Sequence, residues 1–365
     1  MLNTKVTILI PTYQRPELLA RAIDSVVNQS HKDLIVRIHD NGSDVATPEL
    51  MSRLISNDSR IEYYRHPKNI GQLSNFQSLI DSIKTPYYSI ISDDDFLLPG
   101  HLEAAVKKLI QYPEAYFYSS ATATLNLLDN KIEFRNMNWD EAFYTPSMEL
   151  TYRVSSEHFT STGTVFSAKV LNNIKYFHPL GMDDVLSVLL TGCFPFVASP
   201  SLGAVFTVNE KRGRWHHIVS VTTQQILRAG ALDRKFVLDH AHLDTESYLL
   251  EYLEYIYGSL IEEKALHLYR LSMDNREEFS NQIHKSVLFK FLLRSSLAKI
   301  IKTYTPNKLL EKLIDARLAI LKTNQKKSGN VLPISHFDCG LNYLKHCDLG
   351  HKNKFYDELY SIKND

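Results

Sequence analysis

Three consecutive carboxylates, Asp93-Asp94-Asp95, follow Ser92 and a short apolar run, Tyr87-Tyr88-Ser89-Ile90-Ile91. At the end of a buried strand they repel one another and are poorly solvated. A hard divalent cation resolves that conflict, because Mg2+ or Mn2+ takes one or two carboxylates and keeps positions open for phosphate oxygens. The plainer reading is a solvated acidic turn, since turns favour Asp. A second acidic group, Asp183-Asp184, opens the apolar segment Val185-Leu186-Ser187-Val188-Leu189-Leu190. Negative charge at a helix N-terminus is favourable and accounts for one of these carboxylates; two are more than capping requires.

The elements that would position the triplet alternate in type. Val6-Thr7-Ile8-Leu9-Ile10, stopped by Pro11, has the β-branched pattern of a buried parallel strand. Pro16 suits a first helical turn, and Leu19, Ile23 and Val26 give that helix one apolar face. Leu34 to Ile38 is a second strand, ending at the turn cluster His39-Asp40-Asn41-Gly42-Ser43-Asp44. Ile61 to Arg65 is a third strand and is followed by His66-Pro67-Lys68-Asn69-Ile70-Gly71. Asn75 to Ile83 is expected to be helical and Tyr87 to Ile91 a strand. Strand, helix, strand, strand, helix, strand predicts an open α/β sheet, in which ligands bind outside the carboxyl ends of the strands. Pro11-Thr12-Tyr13, Asp40-Asn41 and Asp93 to Asp95 all fall at such ends.

The run Val6 to Arg15, the Asp40-Asn41-Gly42-Ser43-Asp44 turn, Asn69-Ile70-Gly71 and Ser92-Asp93-Asp94-Asp95, in this order and spacing, resemble family 2 glycosyltransferases. The similarity covers residues 4 to about 220 and is strongest up to about 105. It implies a GT-A (Rossmann-like) open mixed sheet flanked by helices, with residues 1–218 as the glycosyltransferase domain and 219–365 as a helical C-terminal region. The nucleotide-binding half would be about 1–105 and the acceptor half about 106–218. The implied activity is inverting, metal-dependent transfer of a single sugar from a nucleotide diphosphate-sugar, UDP-linked by the family match, to a hydroxyl acceptor. The setting would be surface polysaccharide biosynthesis, a lipid-linked glycan or protein glycosylation.

Residue by residue, the resemblance assigns the nucleotide to Pro11, Thr12, Tyr13, Arg15, Asp40, Lys68, Asn69 and Asp93. Asp40 matches an aspartate that accepts from the base N–H, and Lys68 a basic residue near the diphosphate. Asp94, five residues before Pro99, matches the direct ligand of Mn2+ or Mg2+, with Asp95 in the metal shell or on a sugar hydroxyl. Ser92 stands where many members carry the first aspartate. Gly163 and Thr164, in Thr160-Ser161-Thr162-Gly163-Thr164, match the segment lining the donor sugar; a plain turn before a strand is the competing account. Asp184 matches the general base and Asp183 its acceptor-orienting neighbour. Arg214-Trp215 is similar to the end of a motif of processive members, but Lys211 replaces its glutamine, which argues against processivity. His217, or His216 beside it, would complete the metal shell, with the neighbouring arginines on the diphosphate.

Composition sets the remaining bounds. The chain has 365 residues, 44% of them hydrophobic and 22% charged, as in an ordinary globular protein. Lys+Arg and Asp+Glu balance at 41 each, so no nucleic-acid partner is expected. Cys193, Cys339 and Cys347 lack metal spacing and read as thiols of a reducing compartment. Met1 to Lys5 runs directly into a strand and leaves no room for a signal peptide, so a cytoplasmic protein is expected. From about Val219 the pattern is helical, with a stripe of Leu249, Leu253, Ile256 and Leu260. Residues 233–278 hold 11 acidic against 5 basic side chains, and residues 285–327 hold 11 basic against 2 acidic. The basic block either lies peripherally on anionic membrane at its inner face or packs on the acidic block within one chain or in a homo-oligomer. Residues 326–330 read as a linker before a short helical tail. A sugar-nucleotide pyrophosphorylase would need a glycine-rich loop where Pro11-Thr12-Tyr13-Gln14-Arg15 stands. A non-catalytic nucleotide-sugar-binding scaffold partner of another transferase is the alternative outside catalysis, and the presence of Asp94 and Asp184 argues against it.

Overall fold

Residues Val6–Thr12 form strand β1, whose seven side chains are all buried. In the computed structural model, which describes residues 3–128, 131–174, 178, 180–208, 221–274 and 330–333, β1 lies at the middle of a mixed sheet. It is flanked in parallel by β2 (Leu34–Asp40) and β4 (Tyr87–Ile90), and β3 (Ile61–Arg65) adds in parallel to β2. Thr12 pairs with Asp40 and Asp40 with Arg65, so three strands end level on one side. The β-branched run of β1 is thus explained by burial on both faces.

Helix α1 (Pro16–Val27) starts on Pro16 and buries Leu19, Ala22, Ile23 and Val26, the face that its apolar spacing sets. Helix α2 (Ala46–Asn57) is an element that the sequence pattern does not announce. Only Thr47 and Met51 are fully buried in it, and such a sparse stripe leaves little periodicity to read. Helix α3 (Gln72–Asp81) then precedes β4.

Beyond the triplet come β5 (Phe96–Leu97), α4 (His101–Gln111), β6 (Phe117–Asn126), β7 (Lys131–Arg135), β8 (Ala142–Tyr144) and α5 (Met148–Ser156). They are followed by β9 (Thr164–Ser167), a 3-10 turn (Ala168–Asn172), α6 (Asp183–Cys193) and β10 (Phe196–Val208). Strand β9 is antiparallel to both β4 and β6, joining the parallel half of the sheet to the rest. Strand β10 runs parallel to β6, with register shifts between Ser199 and Ala204, and antiparallel to β5. This second half carries strand directions opposed to the first, so the sheet is mixed.

The described residues fall into two compact units, the first within 1–211, 240–246 and 329–365 and the second within 212–239 and 247–328. In the second unit, α7 (Thr223–His240) buries Ile226, Ala229, Asp233, Phe236 and Val237. Helix α8 (Glu246–Asp274) buries Leu249, Leu253, Tyr257 and Leu260, close to the stripe read from the sequence. The Asp233 carboxylate accepts a 2.5 Å hydrogen bond from the Tyr257 hydroxyl, which offsets the cost of burying its charge. Asn330–Pro333 forms a strand, β11, antiparallel to β7. Val331 and Leu332 supply strand-forming residues at the sheet edge, while the rest of the expected linker and the helical tail lie outside the described residues. His217, the Arg214-Trp215 motif and the basic 285–327 block lie outside the described residues. Among the described residues no helix is long and apolar enough to cross a membrane.

His101, at the start of α4, is buried with neither ring nitrogen hydrogen-bonded. Burial lowers its pKa from 6.5 to about 4. The unfolded chain therefore takes up a proton below pH 6.5 that the folded chain refuses, and stability contributed by the neutral ring is lost as pH falls towards 4. Replacing the ring by a non-titrating one, His101→Phe, should shift relative stability in the variant's favour by about 2 kcal/mol between pH 7 and pH 5. Urea unfolding of both proteins checks this. The carboxylates titrate in both and cancel in the difference.

Candidate active site

The acidic corner is built where β1 and β4 end side by side. The Thr12 hydroxyl donates to Asp93 Oδ2 at 2.7 Å, and the Tyr13 backbone N–H adds a further bond to the same carboxylate. Arg15, in the turn between β1 and α1, sets Nη1 3.4 Å from Asp93 Oδ1 and 3.0 Å from Asp94 Oδ2. Tyr13 is exposed at the rim, where its ring can serve as a flat surface. Pro11 pairs with His39 and is buried. Gln14 adopts a left-handed backbone, φ 59°, and its N–H donates to Ser43 Oγ at 2.8 Å. That bond ties the first strand-end loop to the second.

At the end of β2, Asp40 is wholly buried. Its Oδ1 accepts the Ser43 N–H at 2.8 Å and its Oδ2 the Tyr63 hydroxyl at 2.6 Å. Both oxygens are therefore engaged in holding the turn. Next to it, the Asn41 amide donates to Asn69 Oδ1 at 3.1 Å and accepts the Ile70 N–H at 2.8 Å. Gly42 has φ +82°, and a Cβ there would lie 2.7 Å from the Lys68 carbonyl carbon. Only glycine allows the Lys68-Asn69 loop to cross so closely. Lys68 and Asn69 are themselves exposed beside this crossing.

Asp95 turns inward. Thr162 donates its hydroxyl to Oδ2 at 2.5 Å and the Thr207 N–H, on β10, donates to Oδ1 at 2.8 Å. The preceding residue, Ser161, donates its hydroxyl to Asp183 Oδ2 at 2.7 Å. Asp183 and Asp184 form the first turn of α6, both half-buried. The approach to α6 is fixed by buried His178, whose Nδ1 accepts the N–H groups of Leu180 and Met182, each at 3.2 Å. Gly163 and Thr164 do not face the rim. Gly163 is packed against Thr122 with no room for a Cβ, and Thr164 bonds Ser119 and the Thr160 carbonyl in the sheet interior. The structure thus gathers Thr12, Tyr13, Arg15, Asp93 and Asp94 at one strand end, and Asn41, Lys68 and Asn69 at the next. Asp183 is linked to that corner through Ser161, Thr162 and Asp95.

Ser161, Thr162, Ser43, Thr207 and His178 carry this scaffolding and are not singled out as site residues by the sequence. Hydroxyl residues in a turn look alike whether or not they bond a carboxylate, so only the small-residue composition of 160–164 signals them.

The electrostatics of the corner are those of under-compensated negative charge. Burial, then the neighbouring Asp94, raises the Asp93 pKa to about 6 despite the Thr12 bond and Arg15. Burial and Asp94 raise that of Asp95 well above the usual carboxylate range. An all-oxygen donor set whose members resist ionisation fits a hard cation, which would lower the cost of their charge. Among the described residues no three His, Cys, Asp or Glu side chains form a complete cage. Mg2+- and Mn2+-type sites that share their cation with phosphate oxygens need only one or two protein carboxylates.

An open mixed α/β sheet with its acidic corner at the strand ends defines a GT-A fold. In agreement, the chain is similar to the S. aureus TarS 1–349 structure in complex with UDP-GlcNAc, with a TM-score of 0.53 and 14% identity over 79% of this chain and 78% of that one. Residues 7–175 match the family model described as Glycosyl transferase family 2. The GalNAc(5)-diNAcBac-PP-undecaprenol beta-1,3-glucosyltransferase of Campylobacter jejuni is 31% identical over 105 residues, 28% of this chain and 34% of that protein. Chondroitin synthase of Pasteurella multocida is 27% identical over 154 residues, 42% of this chain and 15% of that protein. The aligned segment spans about a third or less of the length of these relatives.

With its folded pKa raised from 3.8 to about 6, ionised Asp93 costs stability above pH 6, and that cost disappears as pH falls through 6 towards 4. Asp93→Asn should therefore be more stable than the parent at pH 8 in chelator, by up to about 3 kcal/mol, with the gap closing by pH 4. Denaturant unfolding at the two pH values checks both the sign and the closure.

Proposed function

We propose that the chain is an inverting glycosyltransferase moving one sugar from a UDP-sugar to a hydroxyl of a glycan, lipid-linked or protein acceptor. The observation that carries the reading is the pair of adjacent hydroxyls, Ser161 on Asp183 and Thr162 on Asp95. They tie the start of α6 to the acidic corner within one unit. In-line displacement needs a base on the side of the sugar opposite the diphosphate, held on a common rigid frame.

In this reading Tyr13 stacks on the base, Asn41 and Asn69 offer amide groups to base or ribose, and Lys68 and Arg15 face the diphosphate. Asp40 acts by fixing the turn that presents Asn41, since both its oxygens are already bonded. Asp94, the more open of the two carboxylates next to Arg15, would hold Mn2+ or Mg2+, with Asp93 and Asp95 beside it. When bound, such a cation neutralises charge on the departing nucleoside diphosphate. Asp184 holds the acceptor hydroxyl and receives its proton, while Asp183, fixed by Ser161, orients the same acceptor. The uridine donor is supported by the resemblance at the first two strand ends. A lipid-linked acceptor, reached peripherally at the inner face of the membrane, is supported by the undecaprenol-linked substrate named for the Campylobacter jejuni relative.

Asp184→Asn tests the base. Thermal stabilisation by UDP with Mn2+ should survive, while transfer from a UDP-sugar panel into acceptor extracts should fall by at least about a thousandfold. Normal turnover in that variant would contradict the assignment, and donor binding without nucleoside diphosphate release by the parent would favour a non-catalytic scaffold.

A further inference from the structure

We infer that Asp95 is a positioning residue: its carboxylate is a strut that sets the 160–164 turn, and through Ser161 the start of α6, at a fixed distance from the donor corner. The inference rests on the donor and base roles proposed above and assigns Asp95 neither to the cation nor to the sugar. Burial is the first observation. Asp95 is 1% exposed, whereas the Asp94 side chain keeps 15% of its surface. The Asp95 N–H donates to the Ser92 carbonyl at 3.1 Å, and this turn carries the third carboxylate into the interior just before β5 begins. A cation that shares its shell with phosphate oxygens has to sit where the substrate reaches it. Asp94 meets that condition and Asp95 does not.

The second observation is the partner set. The Thr162 hydroxyl donates to Oδ2 at 2.5 Å and the Thr207 N–H to Oδ1 at 2.8 Å, from residues 67 and 112 positions further along the chain. Two donors converging on one side chain need two acceptor atoms, which a carboxylate has and an amide lacks. The acid at this position is thus accounted for by the hydrogen bonds alone. The third observation is that the 160–164 turn is stiff. The Gly163 carbonyl accepts the Ser120 N–H at 3.0 Å, and the Thr164 hydroxyl donates to the Thr160 carbonyl at 2.7 Å. A Cβ at Gly163 would lie 2.4 Å from Thr122 Cγ2, so the turn is also packed tightly on β6. Within this turn the neighbouring hydroxyls reach opposite ways, Thr162 to Asp95 and Ser161 to Asp183 Oδ2 at 2.7 Å. Breaking the Asp95–Thr162 bond therefore shifts the seat of Asp183 without removing any group from Asp93, Asp94 or Arg15. A shift of about 1 Å between base and donor is enough to cost about a hundredfold in rate.

The test compares the parent full chain with Asp95→Asn, Thr162→Val, Thr162→Ser and Asp94→Asn. Mn2+ binding in the presence of UDP is followed by electron paramagnetic resonance, and UDP release is followed with the UDP-sugar of the panel that the parent turns over. Asp95→Asn and Thr162→Val should keep Mn2+ affinity within about threefold of the parent, while Asp94→Asn should lose at least about a hundredfold. In Asp95→Asn and Thr162→Val, kcat should fall at least about tenfold with the donor KM unchanged. Thr162→Ser restores the hydroxyl and should bring kcat back to within about threefold of the parent; a role in stability alone would leave kcat of the folded protein where it was. Thermal melts establish that each variant is folded, and Asp95→Asn, which buries no unpaired charge, carries the test if Thr162→Val does not fold. If Asp95→Asn loses Mn2+ as Asp94→Asn does, or if its kcat is that of the parent, the inference is overturned and the donor-site reading stands. If the parent binds neither Mn2+ nor UDP, or releases no UDP, the transferase reading fails and the inference with it.

Discussion

The structure depends on keeping three neighbouring carboxylates at the end of a buried strand. Asp93 and Asp95 are almost fully removed from water, and each has its pKa raised first by that burial and then by Asp94. A fold optimised only for stability would replace them. An all-oxygen donor set of this kind suits a hard cation, whose binding would offset the cost of their charge.

What makes the cluster tolerable is a set of short donors from distant parts of the chain. Thr12 comes from β1, Thr162 from the turn before β9 and the Thr207 N–H from β10. Threonine hydroxyls have little rotamer freedom to lose, and backbone N–H groups none, so both hold their partners within narrow limits. The same device recurs at the second acidic centre, where Ser161 holds Asp183, and at the β2 turn, where the Ser43 N–H and Tyr63 hydroxyl hold Asp40.

The family match begins at residue 7 and extends to residue 175, so it includes the strand ends around the acidic corner. The relatives share this segment while differing widely in total length and in the reactions their names describe.

From residues alone, β1, α1, β2, β3, α3 and β4 could be read, because each carries a dense apolar period or a stop such as Pro11 or Gly42. Helix α2 could not, since Met51 and Thr47 give it too thin a buried stripe. The acidic triplet was legible because like charges side by side need a reason that local structure does not provide. The tertiary structure decided which partners hold the carboxylates. It turned Asp95 and Asp40 into held groups, sent Gly163 and Thr164 into the sheet interior, and brought Ser161 and Thr162 between the two acidic centres. A hydrogen bond between residues 67 apart in the chain leaves no periodic trace, whereas a buried strand writes its burial into every second or every successive side chain.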